Sequence, residues 1–177
     1  MMQNKILITG ANGLIGRELF QSLILDGADI TQVVRKATGK NEVQIGSFSS
    51  ETDWTQALDG CKVVFHLAAP AHVLNELYMD PLTAFRAVNV DATINRATQA
   101  AKTGVKRFVF ISSIGVNEAE TFSKPFSEIT LPKPYSNYAL SKLEIEEGLI
   151  KIFNNSNMEY VMVRPPLVYS YQAPRNY

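Results

Sequence analysis

The chain has 177 residues, 46% of them hydrophobic, which suffices for one domain with a sizeable core and is tight for two. Seventeen basic and seventeen acidic residues cancel, leaving no overall field to draw in nucleic acid or an anionic membrane, so the expected partner is a small molecule. The single cysteine, Cys61, excludes an intramolecular disulfide or a cysteine-rich metal site, and its place just ahead of an apolar strand reads as an inert, half-buried thiol. No apolar run is long enough to span a bilayer, and the N-terminus enters a strand pattern without a charged or long apolar leader, so a soluble cytoplasmic protein is expected.

In chain order, an apolar strand over residues 5–9 runs into a turn with Gly10, Gly13 and Gly16, and a helical pattern follows over 14–25. Strand patterns recur at 30–34, 42–45, 63–67, 107–112 and 160–163, and helical patterns at 54–58, 82–103 and 136–153. The longest loop is expected over 117–134, where prolines and scattered charge interrupt any period. Such alternation specifies an α/β fold: a Rossmann-like, doubly wound parallel sheet with helices on both faces and ligands at the carboxyl ends of the strands.

The strand, glycine turn and helix over Lys5 to Gly16 suit a pyrophosphate. Gly10 permits a tight turn, Gly13 a close approach of backbone to ligand, and Gly16 a close packing of helix on strand. Asn12 lies inside the turn, and Leu14 and Ile15 open a helix whose unpaired N–H groups and positive dipole end face it. The same glycines also suit a plain strand-to-helix connection.

The second strand ends at Arg35-Lys36, where an acidic residue would accept from a ribose 2'-hydroxyl. A cationic pair there can instead hold a 2'-phosphate, with Arg17 nearby, or be a solvated basic turn. His66, on an apolar strand, reads as a core histidine, and His72 lies in the loop behind it. Tyr138 and Lys142 stand at i and i+4, hence on one helix face, where an ammonium would favour the phenolate. Ser112 and Ser113 close the strand pattern Phe108 to Ile111 at the edge where this fold presents ligands.

Taken together, the Thr9-Gly10-x-x-Gly13-x-x-Gly16 turn, His66-Leu67-Ala68-Ala69, Asn89, Ser113, Tyr138-x-x-x-Lys142 and Arg164-Pro165-Pro166-Leu167-Val168-Tyr169 resemble the extended short-chain dehydrogenase/reductase family. The resemblance implies Ser113, Tyr138 and Lys142 as catalytic residues, with Ser112 a neighbour outside the set. It also implies a cofactor site at Gly10, Asn12, Gly13, Leu14, Ile15, Gly16, Arg35, Leu67, Ala68, Ala69, Tyr138, Lys142, Pro165 and Val168. Two departures stand out: Gly46-Ser47-Phe48 replaces the family's Gly-Asp pair at the adenine end, and Ser170-Tyr171 replaces its Gly-Pro.

The expectation is a dinucleotide-binding domain over residues 1–169 and a divergent tail over 170–177, with the family's C-terminal substrate domain absent. The implied function is an NAD(P)-dependent nucleotide-sugar epimerase, dehydratase or reductase, with NADP favoured over NAD and no metal. The implied partners are a nucleotide sugar and, in a homo-oligomer, a second copy of the chain. The alternative is a non-catalytic NAD(P)-binding module or remnant.

Overall fold

The computed structural model describes residues 4–68, 82–83, 86–121 and 124–169. β1 (Lys5–Thr9), α1 (Leu14–Leu25), β2 (Ile30–Val34), β3 (Glu42–Gln44), a one-turn α2 (Thr55–Leu58) and β4 (Cys61–His66) form the first half. α3 (Ala92–Lys102), β5 (Arg107–Ile111), α4 (Asn137–Asn154) and β6 (Glu159–Val163) form the second. The six strands are parallel, in the order β3-β2-β1-β4-β5-β6. The chain winds outward from β1 to one edge, then returns to the other side of β1. A crevice therefore opens between β1 and β4, beyond their carboxyl ends.

Alternation along each strand divides the core between the two faces of the sheet. Leu7, Val33, Val64 and Phe108 pack with Leu58 of α2, Ala97 and Ala100 of α3, and Ile145, Leu149 and Phe153 of α4. Ile8 and Ile30 face the other way, against Phe20 and Leu23 of α1. Full burial of each large aliphatic side chain contributes roughly 1.5–3 kcal/mol, so the sheet is held by both layers.

Most differences from the expected boundaries are a single residue. β3 stops at Gln44, although Ile45 N still donates to Val34 O at 2.9 Å. β4 starts earlier, at Cys61, because a register shift between Lys5 and Ile6 lets Lys5 pair with Cys61. Cys61 is thus fully rather than half buried; its Sγ donates to Ala57 O at 3.3 Å, and burial raises the thiol pKa. The helix expected over 82–103 is not uniform: Arg86–Asp91 wind as a π-helix before α3 begins. Asn89, within this wider turn, is 4% exposed. No helix among the described residues is long and apolar enough to cross a membrane.

Candidate functional site

The site is built from the ends of four adjacent strands. At the first, Gly10 has φ +77°, and a Cβ there would stand 2.7 Å from Ala68 N and 2.9 Å from Leu67 C. Leu67 N donates to Thr9 O at 3.1 Å, which extends the β1–β4 pairing and sets Leu67 and Ala68 beside the turn. Gly16 is buried, and a Cβ on it would overlap the Gly10 carbonyl oxygen. Gly13 is exposed and donates to Gly10 O at 3.0 Å.

α1 starts at Gly13 with no side-chain cap and no acidic residue in its first turn. A cradle that side chains would fill, facing an uncapped helix start, fits the pyrophosphate of a dinucleotide. Asn12 is exposed on the turn, Leu14 and Ile15 are half-buried behind it, and Arg35 and Lys36 are exposed just beyond β2. Ala69 and His72 lie outside the described residues.

The second cluster joins β5 to α4. Lys142 is 2% exposed; its Nζ donates to Ile111 O at 2.8 Å and sits 4.6 Å from the Phe110 ring centroid and 5.6 Å from that of Tyr138. Burial pushes its pKa down to about 7, against a smaller opposing pull from Glu146. Ser113 extends from the β5 end, half-buried, and its Oγ accepts from Gly115 N at 3.2 Å, so its own proton remains to be given. Tyr138 is half-buried on the first turn of α4, which Ser136 caps by accepting from Ala139 N at 3.1 Å.

Burial raises the Tyr138 phenol above its ordinary value, opposite to the direction expected from a neighbouring ammonium. The cause is desolvation of the phenol, while the Lys142 nitrogen over its ring, 5.6 Å from the centroid, donates to the Ile111 carbonyl. Pro165 and Val168, beyond β6, are half-buried, and Pro165 O accepts from Ile114 N at 3.0 Å, one residue past Ser113. Sequence reasoning missed Gly115, where a Cβ would stand 2.9 Å from Tyr135 Cε1 and 3.4 Å from Ser113 Oγ. A Gly beside two serines carries no distinctive signal.

His66 is a core histidine. Its Nδ1 is 2.8 Å from Thr9 Oγ1 and its Nε2 is 2.9 Å from Thr93 Oγ1. Burial and the nearby Arg96 cation hold it neutral, well below the usual imidazole range. Arg96, also missed, is 1% exposed, with Cζ 3.9 Å from the Trp54 ring centroid and 4.8 Å from that of Phe48. The small residues Ala92, Thr93, Ala97 and Ala100 around it make room for a guanidinium on a helix face that reads as plain core.

The profile of the NAD dependent epimerase/dehydratase family matches residues 6–177. The chain is 39% identical over 181 aligned residues to a UDP-glucose 4-epimerase of Vibrio cholerae, covering 99% of this chain and 55% of that protein. Among solved structures, a short-chain dehydrogenase/reductase superfamily protein of Agrobacterium tumefaciens with bound NAD superposes with TM-score 0.76 at 29% identity, over 91% of this chain and 48% of that one. MoeE5 in complex with UDP-glucuronic acid and NAD gives TM-score 0.76 at 28% identity, over 91% and 54%. The chain thus spans about half the length of the relatives it matches. By its profile match and its parallel sheet, it belongs to the NAD dependent epimerase/dehydratase family, of the extended short-chain dehydrogenase/reductase type.

Proposed function

We propose that this chain carries the dinucleotide-binding and proton-transfer parts of a nucleotide-sugar epimerase or 4-keto reductase. The observation that supports the reading most is the placement of Tyr138 and Lys142 one turn apart on α4, with Lys142 tied to the carboxyl end of the strand that leads into Ser113. The glycine cradle, Leu67, Ala68, Pro165 and Val168 would hold the cofactor across the crevice. When bound, a nicotinamide dinucleotide accepts a hydride from a sugar carbon and can return it.

Tyr138 moves the proton of the sugar hydroxyl, giving it to a carbonyl oxygen in one direction and taking it back in the other. Ser113 donates a hydrogen bond to that same oxygen, and Lys142 holds a ribose hydroxyl. Arg35 and Lys36 favour a 2'-phosphate, so NADP is the preferred cofactor in this reading, although the solved relatives named above were found with NAD.

The test is a fluorescence titration with NADH and NADPH, followed by a turnover panel of UDP- and dTDP-sugars. Cofactor binding with turnover of at least one sugar supports the enzyme. Binding without turnover on any of them leaves a dinucleotide-binding module, and no binding overturns both.

A further inference from the structure

Arg164, the first residue beyond β6, makes a connection that its place in the sequence does not suggest. Its Nε donates to Glu146 Oε1 at 3.0 Å and its Nη2 to Glu146 Oε2, while its Nη1 donates to Asn117 Oδ1 at 3.1 Å. The carboxylate is 4% exposed and the guanidinium 23%. Backbone contacts run alongside: Val163 O accepts from Ser112 N at 2.7 Å and Pro165 O from Ile114 N at 3.0 Å. The residues on both sides of Ser113 therefore hang from the residues on both sides of Arg164.

Glu146 lies one turn beyond Lys142 and two beyond Tyr138, on the same face of α4. A buried ion pair adds little stability over an apolar pair of like volume, so stability alone does not account for it. A planar fork that grips a carboxylate with two donors and an amide with a third does fix three segments in one orientation.

We propose that Arg164 is a positioning residue, whose grip on Glu146 and Asn117 locks the Ser113 turn against the helix of Tyr138 and Lys142 and holds a carboxylate one turn from the Lys142 ammonium. The consequence for activity rests on the proposed roles of those three residues; the lock itself does not. The ionisable groups around Lys142 are Tyr138 and Glu146 on α4, His66 on β4, which stays neutral, and Arg164 with Glu146. Strand β5 meets it with the Phe110 ring and the Ile111 carbonyl.

The experiment is an NMR titration of the lysine ε-methylene signals in the whole chain without ligand, with Lys142 assigned by Lys142→Arg. Glu146→Gln removes the carboxylate and leaves the Arg164 cation, so the Lys142 midpoint should fall by about one pH unit. Arg164→Lys keeps the cation but not the fork; the amide signals of Ser113 and Ile114 should move, and NADH affinity should drop about fivefold.

Should Glu146→Gln fail to fold, the double variant Glu146→Leu with Arg164→Met replaces the pair by apolar atoms; with the cation gone as well, the midpoint should still fall, by less, and the amide signals of Ser113 and Ile114 should move. A parental Lys142 midpoint and parental Ser113 signals in these variants, with only a lower Tm, would make the pair a simple structural bridge and overturn the proposal. A parent chain that binds no NADH would refute the functional reading instead, while the Lys142 titration would still decide the lock.

Discussion

Burial keeps the Tyr138 proton in place at neutral pH, which suits the proposed role of protonating a carbonyl oxygen and later taking a proton back. Tyr138→Phe removes the hydroxyl and keeps the ring for packing. Turnover should fall by about a hundredfold or more, while the NADH or NADPH dissociation constant, read by fluorescence, stays within about twofold. Loss of binding in parallel with turnover would instead make the tyrosine a cofactor clamp. In the proposed reading Arg35 serves the other end of the cofactor site. It is exposed, so its charge is available to a 2'-phosphate, and Arg35→Asp should cost NADPH about 1.5–3 kcal/mol of binding free energy while sparing NADH. A parent chain that binds NADH more tightly than NADPH would reject this role.

The β1–α1 unit separates two jobs that its glycines perform. Gly16 is buried and a Cβ there would overlap the Gly10 carbonyl, so Gly16→Ala should force helix from strand and lower stability by about 1–3 kcal/mol. Gly13 is exposed, and a Cβ on it would meet only Gly10 O at 3.2 Å. Gly13→Ala should leave Tm nearly unchanged yet weaken dinucleotide binding by about tenfold, because the methyl enters the cradle. Equal losses of Tm in both variants, followed by thermal melts, would refute the division. This unit was legible from sequence because its signals are local: a run of three isoleucine and leucine residues, glycines at fixed spacing, and a helical period, which together placed β1 and α1 at the observed bounds. The π-helix at Arg86–Asp91 was not, since nothing local distinguishes it from an α-helical start. Nor were Glu146 and Asn117 as partners of Arg164, because those contacts join segments 18 and 47 positions apart that only the sheet order brings together. The direction of the Tyr138 shift was lost for a similar reason: spacing brings Lys142 near, but burial is a property of the packed layers.

Those layers also bury three basic side chains, and this sets how the whole molecule responds to pH. His66 is held neutral well below 6.5, Lys142 is pushed from 10.5 down to about 7, and Arg96 down to about 9, each chiefly by burial. In every case the folded pKa is depressed, so the unfolded chain binds more protons between the two values and stability rises with pH across that window. For His66 the stability is present above 6.5 and is lost as pH falls below it. For Lys142 it is lost as pH falls from 10.5 towards 7. Cys61 and Tyr138 have raised values and act in the opposite sense, but only at the alkaline end, above their ordinary pKa of 9.0 and 10.0. Between pH 7 and 8.5 the proton released from Lys142 should add about 1–2 kcal/mol, which in a chain of this size raises Tm by roughly 3–6 °C. Lys142→Met removes the linked proton and should flatten the rise over that interval, leaving the slope below pH 6.5 to His66. Melting curves at half-unit steps from pH 5.5 to 8.5 test both parts: a parent Tm that falls as pH rises, or a Lys142→Met variant with the parent's slope above pH 7, would show that the buried lysine is not the group that couples folding to protons.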